Sequence, residues 1–176
     1  MDDPHAEPRV NDYDMPIRFM IGQGRLSIDE LAKLPTTEAG LDKELRRRHR
    51  ADADDPESPL RVGYPLYVWS TAQDLLAGPL TPGTRAALYR LLADQPGLTV
   101  AGKVTGPLGR HGVAIVMGTA EGDSEYAPDR APGFRLVVDP ETGRLLANEA
   151  LDDAAKPIRS VAYEAMGWTD ALGERP

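Results

Sequence analysis

Apolar residues recur at helical spacing through the first half of the chain and at alternate positions through the second. The first pattern predicts amphipathic helices and the second half-buried strands. Residues 1–26 read as a flexible leader. Within it Met15, Ile17, Phe19 and Ile21 alternate and allow one short strand, and Gly22-Gln23-Gly24 reads as a turn. Ser27-Ile28-Asp29-Glu30 has capping-box spacing and opens a short helix over about 27–34 that stops before Pro35. Thr36 or Thr37 can cap a second helix, about 38–49, with Leu41 and Leu45 on one face. The polar, acidic stretch 51–59 reads as a linker. A third helix, about 64–77, sets Leu66, Trp69, Gln73 and Leu76 on one side and Val68, Ala72 and Leu75 on the next. Most of its girth is apolar, which predicts deep burial. Gly78-Pro79 stops it, and Thr81-Pro82 starts a fourth helix, about 82–94, with Ala87, Leu88, Leu91 and Leu92 inward.

From Leu98 the period falls to two. Leu98, Val100, Gly102 and Val104 share a strand face, and Val113, Ile115 and Met117 lie on the next strand. Phe134, Leu136 and Val138 follow a long loop at 120–132, and Asp139-Pro140-Glu141-Thr142-Gly143 turns the chain into Leu145 and Ala147. A last strand is expected over 158–168, with Val161 and Tyr163 opposite Ala162 and Met166. The expected fold is therefore α+β: N-terminal helices packed on one face of a curved antiparallel β-meander. Residues 27–176 would form a single domain, its helical part about 27–96 and its meander about 98–168.

Composition narrows the chemistry. The chain has 176 residues, no Cys, three His and a formal charge of −8. Absence of Cys excludes disulfides, thiolate metal sites and a cysteine nucleophile. The acidic balance opposes a nucleic-acid partner, since phosphate contacts need a basic face. No apolar run reaches the roughly 18–20 residues of a membrane span, and the acidic N-terminus lacks signal-peptide regions. The chain as given reads as soluble.

Each remaining motif has an ordinary structural reading. Gly97 to Lys103 imitates a phosphate-binding loop but lacks the following Ser or Thr, and it reads as a strand. Arg46 to Arg50 reads as a solvated helix end complementing the macrodipole, with anion binding as the alternative. His5, His49 and His111 form no paired metal motif, and Glu121, Asp123, Glu125 and Asp129 do not follow a calcium-loop pattern. An enzyme would need perturbed carboxylates around His111, Asp139 or Glu164. The expectation is no enzyme, no metal and no cofactor. The aromatic cluster near the third helix suggests core packing or the wall of an apolar groove between that helix and the sheet. Such a groove would be lined by Tyr67, Trp69, Leu76, Leu88, Ile115 and Leu136.

The segments Leu80–Leu92, Pro96–Val100, Gly109–Ala114 and Val138–Leu146 resemble, in the same order, an uncharacterised actinobacterial family. The step Leu34-Pro35-Thr36-Thr37 and the ending Gly173-Glu174-Arg175-Pro176 resemble it too, so the likeness covers about 30–176. It implies a short cytoplasmic N-terminus, one membrane helix and an extracytoplasmic domain, often encoded beside an extracytoplasmic-function sigma factor. The membrane helix and most strands before Leu34-Pro35 are missing here. The resemblance therefore implies an outer domain without its anchor, or a short soluble relative. The hairpin at 139–143 is also similar to that of lipoprotein-sorting and sigma-regulatory envelope proteins, which implies a lipid-sized groove on a concave sheet. The expected function is a non-catalytic extracytoplasmic sensor or binding module for an unknown protein or apolar ligand. Membrane attachment would come only through the absent N-terminal anchor. The alternative is a structural or interaction domain that forms a homodimer through an exposed strand.

Overall fold

The computed structural model describes residues 17–118 and 133–165. Two short strands come first, β1 (Phe19–Ile21) and β2 (Gly24–Leu26). Four helices follow: α1 (Ile28–Leu31), α2 (Glu38–Ala53), α3 (Tyr64–Leu76) and α4 (Pro82–Ala93). The rest is β3 (Leu98–Thr105), β4 (His111–Gly118), β5 (Gly133–Val138), β6 (Leu145–Leu151) and β7 (Pro157–Ala162). The five long strands pair in chain order, each antiparallel to the last. The fold is the expected α+β.

The helix signals work as local chemistry dictates. Ser27 accepts from the Glu30 amide while Glu30 accepts from the Ser27 amide, a complete capping box. Thr37 caps α2 through the Gly40 amide, and Thr81 caps α4 through the Thr84 amide. The Thr84 hydroxyl, itself buried, donates to the Leu34 carbonyl and so ties the α1–α2 connection to α4.

Four boundaries differ from the sequence reading, one of them the last strand, which spans Pro157–Ala162 and stops short of Tyr163. Residues 19–26 are not a loose leader: they form a hairpin that buries Ile21 and Leu26, with Gly22 at φ +58° in its turn. Helix α1 is four residues long, ending at Leu31 rather than near 34. Helix α2 runs on through 51–53, where a linker was expected. The acidic run is used structurally: Asp52 accepts from the Gln23 amide and the Tyr67 hydroxyl, and Asp55 caps the amides of Glu57 and Ser58. Arg46–Arg50 consequently begins inside α2, and Arg50 lies in its last turn. The 120–132 loop, with its acidic residues, lies outside the described residues, as do His5, Met15, Met166 and Gly173–Pro176.

Register separates the two faces of the sheet. Ile115 pairs with Leu136 and Met117 with Phe134, which pairs with Ala150. Directly opposed residues share a face, and most of these rows join the helices in one core. Val137 and Ala147, on the opposite face, form a small cluster with Leu146 and Val104. On that same face Arg135, Glu149 and Ser160 lie in register on adjacent strands. Glu149 is only 3% exposed, and it accepts from Arg135 Nε at 2.6 Å and from Ser160 Oγ at 3.0 Å. A carboxylate so buried needs such partners.

The β5–β6 turn docks on a helix. Asp139 Oδ1 accepts from the amides of Glu141 and Thr142, and Gly143 takes φ +65°. Its carbonyl then accepts from Tyr89 Oη of α4 at 2.9 Å. Among the described residues no helix is long and apolar enough to cross a membrane.

The β6–β7 turn holds Ala155 at φ +57°, a conformation that costs a residue with a Cβ. Ala155→Gly should raise stability by about 0.5–1 kcal/mol, the left-handed penalty less the chain entropy of glycine. Urea denaturation measures it, and an unchanged or lower midpoint would show that the turn carries no strain.

Candidate functional site

Helix α3 is buried on several sides at once. Tyr67, Val68, Trp69, Ala72, Leu75 and Leu76 are each fully buried. Its remaining stripe, Leu66, Ser70, Gln73 and Asp74, recurs at three to four residues and therefore shares one side. This stripe, with Tyr67 and Trp69 at its flanks, forms one wall of a cavity of about 370 Å³. Leu60 and Val62 close one end, Gly22 of the β1–β2 turn lies at another edge, and Phe134, Asn148 and Arg159 form the sheet wall.

The walls are held from separate parts of the chain. Tyr67 Oη donates to Asp52 Oδ2, the same oxygen that accepts from the Gln23 amide. A Cβ at Gly22 would collide with Asp52 Oδ2 and with the Tyr67 ring and hydroxyl, so glycine is required there for close approach as well as for its φ. The segment carrying Leu60 and Val62 is fixed by His49, whose Nε2–H donates to the Val62 carbonyl at 2.8 Å. The His49 ring also meets Tyr64 and Tyr67 edge-on, at centroid distances of 5.6 and 4.9 Å. Across the cavity Gln73 Nε2 donates to Asn148 Oδ1 at 2.8 Å, joining α3 to β6.

Chemically the cavity is two-sided. Leu60, Val62, Leu66, Trp69 and Phe134 supply apolar surface. Ser70, Gln73, Asn148, Asp74 and Arg159 supply polar groups, the last two with opposite charges. Burial pushes the Asp74 carboxyl above its ordinary value. Burial also raises the Tyr67 phenol, and the neighbouring Asp52 carboxylate adds to it.

Of the residues expected to line a groove, Tyr67 and Trp69 do line the cavity. Leu76, Leu88 and Leu136 do not: they are fully buried in the core, and Ile115 packs against it half-buried. The opening lies nearer the start of α3 than expected and is more polar. Gln73 carried a signal, being an amide on an otherwise apolar stripe. Asn148 carried none, because its partner across the cavity is 75 residues away in the sequence.

Other candidates have local roles. Arg46 pairs with Asp42 and lies 4.0 Å above the Tyr64 ring, while Arg47 and Arg48 both pair with Glu44. The cations are therefore matched within their own helix. These bonds, Arg47 first, outweigh desolvation and hold the Glu44 carboxyl down to about 2. Asp139 is lowered by the turn amides and the Thr142 hydroxyl, and His111 Nδ1 bonds Thr105 Oγ1. Neither residue lines this cavity. Lys103 sits on β3 opposite Val113, in a strand and not a phosphate loop. A second depression of about 490 Å³ is lined by Glu38, Asp42, Arg46, Leu91 and Asp94. There the Asp94 carboxylate raises Glu38 by sharing a hydrogen bond. Among the described residues no group of three or more His, Asp or Glu could hold a metal ion.

Comparison with protein-family models, with curated proteins and with solved structures finds no match to this chain.

Two titrations follow from these environments. Glu44 is depressed on folding, so its contribution is full above about 4.5 and is lost as pH falls towards about 2. Glu44→Gln should cost about 1 kcal/mol at pH 7 and progressively less below pH 4.5, as read by denaturation at each pH. Asp74 is raised on folding, so the ionised form opposes folding and stability falls as pH rises through its titration. Asp74→Asn should stabilise the protein at pH 7 and leave it unchanged well below the ordinary carboxylate range. A variant that loses stability at neutral pH would contradict this sign.

Proposed function

We propose that this protein is a non-catalytic binding module whose site is the cavity between α3 and strands β5–β7. The observation that carries the reading is the cavity itself. At about 370 Å³ it combines aromatic and aliphatic walls with a few polar groups converging from three elements, α3, β6 and β7. Small-molecule sites typically have roughly 300–1,000 Å³ and this mixture of surfaces. The volume lies near the lower limit, so it suits a compact molecule and not a long acyl chain. The extracytoplasmic location and the link to sigma-factor regulation belong to the proposal as well. Their support is the ordered likeness of segments between residues 30 and 176 to the actinobacterial family.

The exposed edges of the sheet favour a second reading, strand pairing between two copies. Val100 on β3 is 65% exposed, and Ile158 and Val161 on β7 are 52% and 49% exposed. Against it, β3 is bulged between Val100 and Gly102 and carries Lys103, while β7 begins with Pro157 and carries Arg159. Bulges, prolines and charges are the devices that protect edges from pairing.

The neutral naphthalene dye prodan tests the first reading. It should bind saturably, one molecule per chain, and accept excitation from Trp69 in a Trp168→Phe background, which leaves a single indole. Ser70→Phe, which fills the exposed mouth of the cavity, should abolish binding with the circular dichroism spectrum unchanged. Binding that is absent, or indifferent to Ser70→Phe, would remove the cavity as the site.

A further inference from the structure

The sheet register identifies an anomaly at the cavity wall. Asn148 stands opposite Leu136 and Val161, and Leu136 stands opposite Ile115. It is the one polar side chain in this four-strand row on the helix-facing side. Gln73 meets it from the stripe of α3 that also carries Leu66, Ser70 and Asp74. Packing alone does not ask for two amides here, because replacing both partners of a buried hydrogen bond by apolar groups is often close to neutral. Their mutual bond uses a Gln73 donor and the Asn148 acceptor. No hydrogen bond between described residues engages Gln73 Oε1 or Asn148 Nδ2. The bonded pair therefore offers the cavity one acceptor and one donor.

Charge and shape narrow what can meet them. Among the described residues the charged groups of the lining are one carboxylate, Asp74, and one guanidinium, Arg159, which together give no net charge to offset the desolvation of an ion. Trp69 of α3 and Phe134 of β5 are both among the lining residues, which suits an apolar body. Resting on the reading of the cavity as a binding site, we infer that it takes a small uncharged molecule with an aromatic or compact apolar body and a carboxamide-type head. The head's N–H donates to Gln73 Oε1 and its carbonyl accepts from Asn148 Nδ2. Gln73 and Asn148 thereby determine specificity, while the aromatic walls supply area.

Three probes sharing one body test this on the full chain: 3-phenylpropanamide, 3-phenylpropanoate and 3-phenylpropylammonium. By calorimetry the amide should bind about tenfold or more tightly than either ion, since a site built on paired hydrogen bonds rejects analogues that leave them unmade. The amide should also shift the side-chain NH₂ resonances of Gln73 and Asn148. The double variant Gln73→Leu with Asn148→Leu, apolar on both sides, should keep its circular dichroism spectrum but lose the preference. An ion bound as tightly as the amide, or a preference unchanged in the double variant, overturns the inference while prodan binding leaves the site itself standing. Failure of prodan and all three probes to bind overturns both.

Discussion

Helix α3 needs cover on nearly every side, and the arrangement of the other elements answers that need. Thirteen residues with seven of them buried cannot be satisfied by one packing partner. The sheet covers one side, α2 and α4 cover others, and the small β1–β2 hairpin closes a fourth. Two of the covers are fastened by polar contacts as well as by apolar area: α2 through Tyr67 to Asp52 and Tyr64 to Asp42, and the sheet through Gln73 to Asn148. Burial of apolar surface supplies most of the driving force, while the hydrogen bonds select one orientation of the covers. The cavity is where this enclosure is incomplete, along the stripe that carries Ser70, Gln73 and Asp74 instead of larger apolar groups.

Elements whose signals are local were legible in the sequence. The capping box at Ser27, the Thr-Pro start at Thr81 and the Asp-Pro-Glu-Thr-Gly turn each act within a few residues, and each behaves as its chemistry requires. The second hairpin strand and the last turn of α2 were hidden because their stabilising partners are remote. Asp52 is an unremarkable acidic residue until Gln23 and Tyr67, 29 and 15 residues away, come to it. The arginine run looked like a helix terminus because the helix continues through residues that resemble a linker.

The site was only half legible for the same reason. Tyr67 and Trp69 stand out by type, and both line the cavity. Leu76, Leu88 and Leu136 are of the same apolar character, yet all three are fully buried in the core. A cavity depends on where side chains fail to meet, and that is decided by how α3 sits on strands some 75 residues further along. Asn148 gains meaning only from its register opposite Leu136 and Val161.

The order of elements has a consequence for the chain while it is being made. Among the described residues every helix precedes the five-stranded sheet, and the sheet grows by adding each strand to the one just completed. Nearest-neighbour pairing keeps loop-closure costs low within the sheet. The contact that seats α3 on β6 must wait until most of the polypeptide has emerged. Until then α3 presents an apolar surface with only α2, α4 and the β1–β2 hairpin to shield it. Such a surface is a natural target for a holding chaperone during synthesis.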